Sequence, residues 1–589
     1  MKKNEKRKLW KQGLGTALVC GLAVAVFPAA KADAADLLKA GPINTTAEHV
    51  TQNQPFAERT AGSQYFRIPA FIVTQKGNLL AAADARYSTT GDGGGLDTIA
   101  SVSTDNGKTW NYSFPLYFPD SDGYIGNTAT TIIDPALVQG KDGEIYCIAD
   151  VNPTGVTTMG GYKAPGEGTG YVKVNGKDYL AVTDNYDNVN TQPKDDDATT
   201  YAYYVGDWDE NGYAKILKRS DHSETGYGVD KWYNLYKVEN GEYKDTLTQK
   251  QVNSNTDIQQ NIFYKGSALH VYNTGYMMYA KTYDDGFTWT DPEILNPQIK
   301  RPTKETALLV SPGQGVLTSD GTIVIPFYDH GDGEENASII WSDDNGKTWE
   351  RSNDVPGAAA GGYWSSESEV VELSDGTLRM FFRSGQGVVC YSDAVRNTSG
   401  DYVFTKPVKT GVSCTSTCNV TAINYSKTID GKQAILVAAP GGSGRANGKI
   451  FTFLVEEDKT LTLKNSYSVN SGTYQYSCMS ELKNGTVGLL WENGGGSIRY
   501  DNYDIAQLAA DGYINDLELG VELTRNETYT RSYQVAEEHK TGITTEADQK
   551  VADVNYAKVD GVEKERTILH TDTYNPSKAI VLVGPAAPE

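Results

Sequence analysis

Three octapeptides of one pattern constrain the fold of this chain most: STDNGKTW at 103–110, TYDDGFTW at 282–289 and SDDNGKTW at 342–349, all S/T-x-D-x-G-x-T-W. Each follows a short apolar run, DTIASV, YMMYAK or ASIIW. In such a segment the Asp side chain caps a turn through the backbone, the Gly supplies positive φ, the Thr restarts a strand and the Trp folds back as a plug. The hairpin closes itself, so each copy marks a corner of a small antiparallel sheet. Copies at unequal spacing predict repeated sheets with insertions between them, the organisation of an all-β propeller. The 38 Tyr and 60 Gly fit strands and tight turns better than helices.

The spacing also divides the chain. Sheet-forming sequence is expected over 45–510, and residues 164–261, rich in Tyr, Lys, Asp and Asn and without an octapeptide, are expected to form a small β-domain inserted within the propeller. Its aromatic residues either line one side of a cleft or are ordinary surface tyrosines. After RYDNYDIAQL the pattern stops, and 511–589 is expected to be a C-terminal extension or small β-module. The basic MKKNEKRKLWK, the apolar run from Leu14 to Ala30 and the small residues of KADAAD predict a signal peptide over 1–35. The protein is therefore expected to be secreted or extracellular, without membrane contact after cleavage. Of the six cysteines Cys20 lies in that segment, and the odd remainder argues against a disulfide scaffold; Cys414 and Cys418, with no nearby His, are weak evidence for either a bridge or zinc. Six scattered histidines give no metal constellation, and no metal or cofactor is expected. A net charge of -22 argues against nucleic acid or an anionic membrane as partner. An anionic ligand would need a local cluster of cations.

Such a cluster is available. Arg67 in YFRIPA, Arg383 in RMFFRSGQG and Arg445 in GGSGRANGKIF each adjoin an apolar strand-like run. A guanidinium is costly to bury without a partner, so each either turns to solvent, joins a structural ion pair or faces an anion. If the repeated sheets bring all three to one face, their donor forks can surround a single carboxylate.

Over about residues 50–510 the chain resembles the bacterial exo-α-sialidases, whose Asp boxes the octapeptides match. The resemblance rests on YFRIPA with Arg67, DARYSTTGDGGGLD with Arg86 and Asp92, and SSESEVVELSDGTLRMFFR with Glu367 and Arg383. It continues in GRANGKIFTF with Arg445 and YQYSCMSELKNGTVGLLWE with Tyr476 and Glu492, in the family's order. It implies a six-bladed propeller acting on sialylated glycans, with Arg67, Arg383 and Arg445 holding the sugar carboxylate. Tyr476 is then the nucleophile, Glu367 its base, and Asp92 the general acid and base, with Asp97 the alternative. Arg86 is placed near the sugar O4, Asp134 of IIDPA near the N-acetyl or glycerol side, and Glu492 as the brace of Arg67. Glu369 and Glu372 read as surface alternation around Glu367. A neutral phenol suits attack beside a carboxylate, where an anionic nucleophile would be repelled. With an ordinary pKa of about 10 it needs a base within reach. Two displacements imply retention through a sialyl-tyrosine. A trans-sialidase or an intramolecular one would use the same site. A sialoside-binding lectin needs only the arginines, and an Asp-box glucan hydrolase would leave them unexplained.

Overall fold

Each octapeptide turns between two antiparallel strands in the computed structural model: Leu96–Ser103 and Asn111–Leu116, Tyr276–Thr282 and Glu293–Ile294, Glu334–Ser342 and Glu350–Arg351. The three turns are built alike. Asp105, Asp284 and Asp344 accept from the backbone amides of Thr109, Thr288 and Thr348 at 2.8, 2.8 and 2.9 Å and from their hydroxyls at 2.7, 2.6 and 2.7 Å. The hydroxyls of Ser103, Thr282 and Ser342 accept from the glycine N–H four residues on. Those glycines have φ of 84°, 104° and 76°, a region that L side chains avoid. The three Trp side chains are buried.

The structure describes residues 54–510 apart from 58–59, 88, 122–128, 156–165, 252–254, 302–304, 332 and 443; beyond 510 it describes the backbone of four strands, from Ile514–Asn515 to Val562–Tyr574. The expected export segment lies outside the described residues. Among them no helix is long and apolar enough to cross a membrane.

The chain forms a β-propeller. Tyr65–Val73, Leu79–Arg86 and Leu96–Ser103 pair in order, and one parallel pair, Leu96 with Thr131, joins them to Thr131–Gln139, Ile145–Asn152 and Tyr276–Thr282. Further antiparallel sheets start at Glu305–Val310, Ser368–Glu372, Thr421–Ile429 and Ser477–Glu481. The last returns to the first, because Phe66 N–H donates to Gly496 O at 2.7 Å and Val73 N–H to Ser480 Oγ at 3.3 Å. Apolar side chains fill the gaps between successive sheets, as Leu79, Ile99, Leu490 and Tyr500 do between first and last. Strands such as Leu79–Arg86, Leu96–Ser103 and Ile145–Asn152 are therefore buried on both faces.

This double burial corrects one expectation. Glu369 is fully buried, its carboxyl accepting from Thr421 Oγ1 at 2.7 Å, Ala422 N–H at 2.9 Å and Cys478 Sγ at 3.5 Å. In-and-out alternation holds only where one face of a strand meets water. Cys147, Cys390, Cys414, Cys418 and Cys478 are buried and free.

Between Ile145–Asn152 and Tyr276–Thr282 the chain builds a second sheet, from Tyr171–Val174 to Glu242–Thr246, closed by His270–Val271 beyond the expected limit at 261. It packs on the ring through Tyr233, Phe263 and Tyr264 against Phe118 and Tyr276. Near the C-terminus, Glu527–Val535, Gln549–Val559 and Val562–Tyr574 pair as a three-stranded antiparallel sheet.

Candidate active site

The strand carrying YFRIPA is regular up to Arg67, which pairs with Asp84, and resumes at Ala70 opposite Ala82. Ile68 and Pro69 thus stand opposite one residue, a β-bulge. The bulge forces Ile68 to φ 57°. A β-branched residue before a proline avoids that conformation, and holding it costs about 1–3 kcal/mol. Glu492 secures it, with Oε1 accepting from Ile68 N–H at 2.7 Å and Oε2 from Arg67 Nε at 3.3 Å. Thr131–Gln139 repeats the device: Ile133 pairs with Asp150, Ala136 with Ile148, and Asp134, before Pro135, has φ 62°. Two neighbouring strands are strained at the same kind of step, and each step carries a candidate site residue.

Arg67 Nη1 donates to Asp92 Oδ1 at 3.1 Å and to Thr90 O at 3.3 Å. Arg86 has a fully buried side chain and lies under the Asp92 loop. Its Nη1 donates to Asp92 Oδ1, Thr90 O and Gly91 O at 2.7, 2.7 and 2.8 Å, and its Nη2 to Asp84 Oδ2 at 2.6 Å. Arg86 therefore staples the loop that presents Asp92. Burial pushes the Asp92 carboxyl up, but Arg86 and Arg67 outweigh it and hold the group below the usual range.

Opposite, Tyr476 Oη donates to Glu367 Oε1 at 2.6 Å. Arg383 Nη1 donates to Glu367 Oε2 at 2.9 Å and to Tyr476 Oη at 3.3 Å, while Arg383 Nε is anchored on Ser416 O at 2.9 Å. The guanidinium carbons of Arg67 and Arg445 lie 5.7 and 5.4 Å from the centre of the Tyr476 ring. The ring is packed on Ile68 and Cys418. Burial first, then Glu367, push the Tyr476 hydroxyl well above 10, with Arg383 opposing. The phenol holds its proton until something takes it, and Glu367 is within reach.

Asp134 is buried, and its pKa is raised by burial and by Asp84, Asp150, Glu367 and Asp92. Its N–H donates to Asp84 Oδ1 at 3.0 Å. Asp97 lies elsewhere: Oδ1 accepts from Phe118 N–H at 2.9 Å and Oδ2 from Tyr87 Oη at 2.7 Å, so it fastens the strand to the segment after the first octapeptide. The other nine candidates converge on one face, although they come from strands and loops far apart in the chain.

Two residues that the sequence did not single out belong beside them. Asp84 is the hub between Arg86 and Asp134, with burial raising it to about 6 against the pull of Arg86. Its spacing of two from Arg86, which puts both on one face of a strand, was the available signal. Tyr328 is buried, and its hydroxyl is raised well above 10 by burial and by Glu367, Asp134, Glu335 and Asp150. Nothing local in IVIPFYDHG marks it.

The model of the BNR repeat-like domain family matches residues 68–477. The anhydrosialidase of Macrobdella decora is 31% identical over 522 residues, which cover 80% of this chain and 62% of the relative. Sialidase B of Streptococcus pneumoniae is 29% identical, covering 78% of this chain and 65% of its own length. The chain thus spans somewhat under two thirds of these curated relatives. The intramolecular trans-sialidase of Ruminococcus gnavus, solved in complex with oseltamivir carboxylate, is similar with TM-score 0.67 at 30% identity, over 78% of this chain and 99% of that one. The leech intramolecular trans-sialidase, solved with 2,7-anhydro-Neu5Ac, has TM-score 0.66 at 28% identity, over 79% of this chain and 71% of that one.

Proposed function

The chain belongs to the sialidase family of BNR-repeat propellers, and from that membership we propose that it is a secreted exo-α-sialidase releasing terminal α-linked sialic acids from glycoproteins, glycolipids and oligosaccharides. One observation carries this: the Tyr476 hydroxyl lies 2.6 Å from Glu367 and 3.3 Å from Arg383, with Arg67 and Arg445 over its ring. A lectin needs the cations and has no use for a phenol hydrogen-bonded to a base.

In the proposed reaction Arg67, Arg383 and Arg445 fix the sugar carboxylate. Glu367 takes the phenolic proton as Tyr476 Oη attacks the anomeric carbon, and Asp92 protonates the departing glycosidic oxygen. Water then attacks the sialyl-tyrosine, giving its proton to Asp92, while the Tyr476 oxygen leaves and recovers its proton from Glu367. The configuration is retained. The substrate carboxylate has to take over the Arg67 edge that Asp92 now occupies. That exchange removes a cation from Asp92 and adds a like charge, and both raise its pKa toward the range a general acid needs.

The ring is proposed to have six blades over 45–510. The sheet in which Leu96 pairs in parallel with Thr131 counts as two, the three five-stranded sheets as three, and Ser477–Glu481 with its neighbours as the sixth, which supports the number. The second sheet is the proposed inserted domain, 1–35 the export signal, and 511–589 an appended module.

Turnover of a fluorogenic α-sialoside tests the proposal. Wild type should release the fluorophore, and Tyr476→Phe should lose the turnover. No release by wild type would sink it, and equal rates would remove Tyr476 as nucleophile. The names of the leech and Ruminococcus relatives favour a second reading, in which a hydroxyl of the bound sugar replaces water and an anhydro sugar results. NMR of the first product formed from sialyllactose separates the two.

A further inference from the structure

A cavity of about 400 Å³ lies where the ring meets the second sheet, and none of the candidate catalytic residues lines it. Tyr117 and Phe118 enter it from the segment after Asn111–Leu116, and Tyr213, Trp232 and Tyr236 from the second sheet. All but Phe118 are half-buried, so ring surface remains open to the cavity. Two carboxylates, Asp230 and Asp291, and the Lys231 ammonium complete the wall.

The rings are held in place before any ligand arrives. Trp232 Nε1 donates to Asp291 Oδ1 at 3.0 Å, tying the second sheet to the ring beyond the second octapeptide, and Tyr236 Oη donates to Asp230 Oδ2 at 3.1 Å. Phe118 meets Trp232 edge to face at 6.4 Å, and Tyr213 meets Tyr236 edge to face at 5.5 Å. Lys231 Nζ lies 4.4 Å from the centre of the Trp208 ring, which fixes the one cation. A rigid aromatic wall loses little entropy when it captures a ligand.

We propose that this cavity binds a neutral hexopyranose, so that the protein holds a second sugar of a glycan away from the arginine cluster. A pyranose has an apolar face of C–H groups suited to an aromatic ring, and a rim of hydroxyls suited to the Asp291 carboxylate and the Lys231 ammonium, while Asp230, engaged by Trp232 N–H, Asn234 and Tyr236, holds the wall in shape. The volume lies within the range of small-ligand pockets, about 300–1,000 Å³. Two carboxylates against one ammonium, on a chain of net charge -22, disfavour an anionic sugar. The proposal stands whether or not the arginine cluster cleaves sialosides.

Saturation-transfer NMR with lactose, with the arginine cluster occupied by oseltamivir carboxylate, tests it directly. Lactose and methyl β-glucoside should both receive saturation, and mannitol, which has hydroxyls but no ring face, should not. Trp232→Ala should weaken lactose binding about tenfold or more, the factor that 1.4 kcal/mol represents. Because Trp232→Ala also breaks the bond to Asp291, Tyr117→Ala is the second variant; it leaves that bond intact and should weaken binding similarly at an unchanged thermal midpoint. No transfer to lactose in wild type overturns the proposal, as does equal transfer to mannitol or undiminished binding in Tyr117→Ala. A protein that binds lactose but cleaves no sialoside would keep this site and lose the proposed activity.

Discussion

Arg67 shows what a single residue must satisfy to work in such a site. Its guanidinium is almost buried, yet its partners are ordered by strength of anchoring: Glu492 is itself buried and also holds the strained Ile68, whereas Asp92 is the more exposed partner. In the proposed reaction the bond to buried Glu492 stays as the brace, and the bond to the more exposed Asp92 is the one exchanged for the substrate carboxylate. Lysine keeps the charge but not the planar fork. Arg67→Lys should lower kcat/KM for sialyllactose about 10- to 150-fold, corresponding to one charged hydrogen bond of about 1.5–3 kcal/mol. Asp92 is tested by its leaving group. Asp92→Asn should cost about 100-fold or more on sialyllactose, whose departing alkoxide needs a proton, and far less on a nitrophenyl sialoside, whose phenolate departs unaided. Equal losses on the two substrates would remove Asp92 as the acid.

At the scale of the element, the octapeptide turn is a local device with non-local attachments: in the third copy Asn345 O accepts from Tyr146 Oη at 3.1 Å and Trp349 N–H donates to Gln298 Oε1 at 2.9 Å. Ser103 stands at the end of its strand opposite Leu96, which pairs with Arg86, so the turns lie away from the catalytic face. In the second copy Trp289 Nε1 donates to Ser113 Oγ at 2.8 Å, and Ser113 Oγ donates to Gly286 O at 2.6 Å, so this turn fastens the two halves of the first, nine-stranded sheet. Removing the capping carboxylate leaves a Thr amide and hydroxyl without their acceptor, a cost of about 1–3 kcal/mol when the site is dry. Asp284→Ala should lower the thermal midpoint more than Asp344→Ala, whose turn is more exposed. Both should keep wild-type kcat/KM per folded molecule.

For the whole molecule, ring closure depends on how the first strands meet around the axis, and Glu369 records that junction. Its carboxyl joins Ser368–Glu372 to Thr421–Ile429 and, through Cys478, to Ser477–Glu481. Burial lifts it from 4.5 to about 8, partly offset by bonds from Thr421, Ala422 and Cys478. The folded state thus keeps a proton that the unfolded chain releases near the ordinary value. The stabilisation is complete below about pH 4.5 and is lost as pH rises through about 8, at up to about 1.4 kcal/mol per pH unit in between. The thermal midpoint of wild type should fall relative to Glu369→Gln between about pH 5 and pH 8. Parallel pH profiles for the two would refute a buried, protonated Glu369.

The sequence by itself determined what is local in the chain. An octapeptide supplies its own cap, positive-φ glycine and plug within eight positions, so the hairpins and the all-β propeller were legible without any distant contact. The residues of the proposed clamp were picked out by their order along the chain. Tertiary structure alone decided the rest, because it depends on residues that share no local pattern: Arg67 and Glu492 stand 425 positions apart, and Tyr476 and Glu367 109 apart. Only closure of the ring brings Asp92 against Arg67, sets Arg86 as a staple beneath it and seals Glu369 from water. Strain follows the same rule, since Ile68 and Asp134 hold unfavourable φ values only because partners across the fold hold them there.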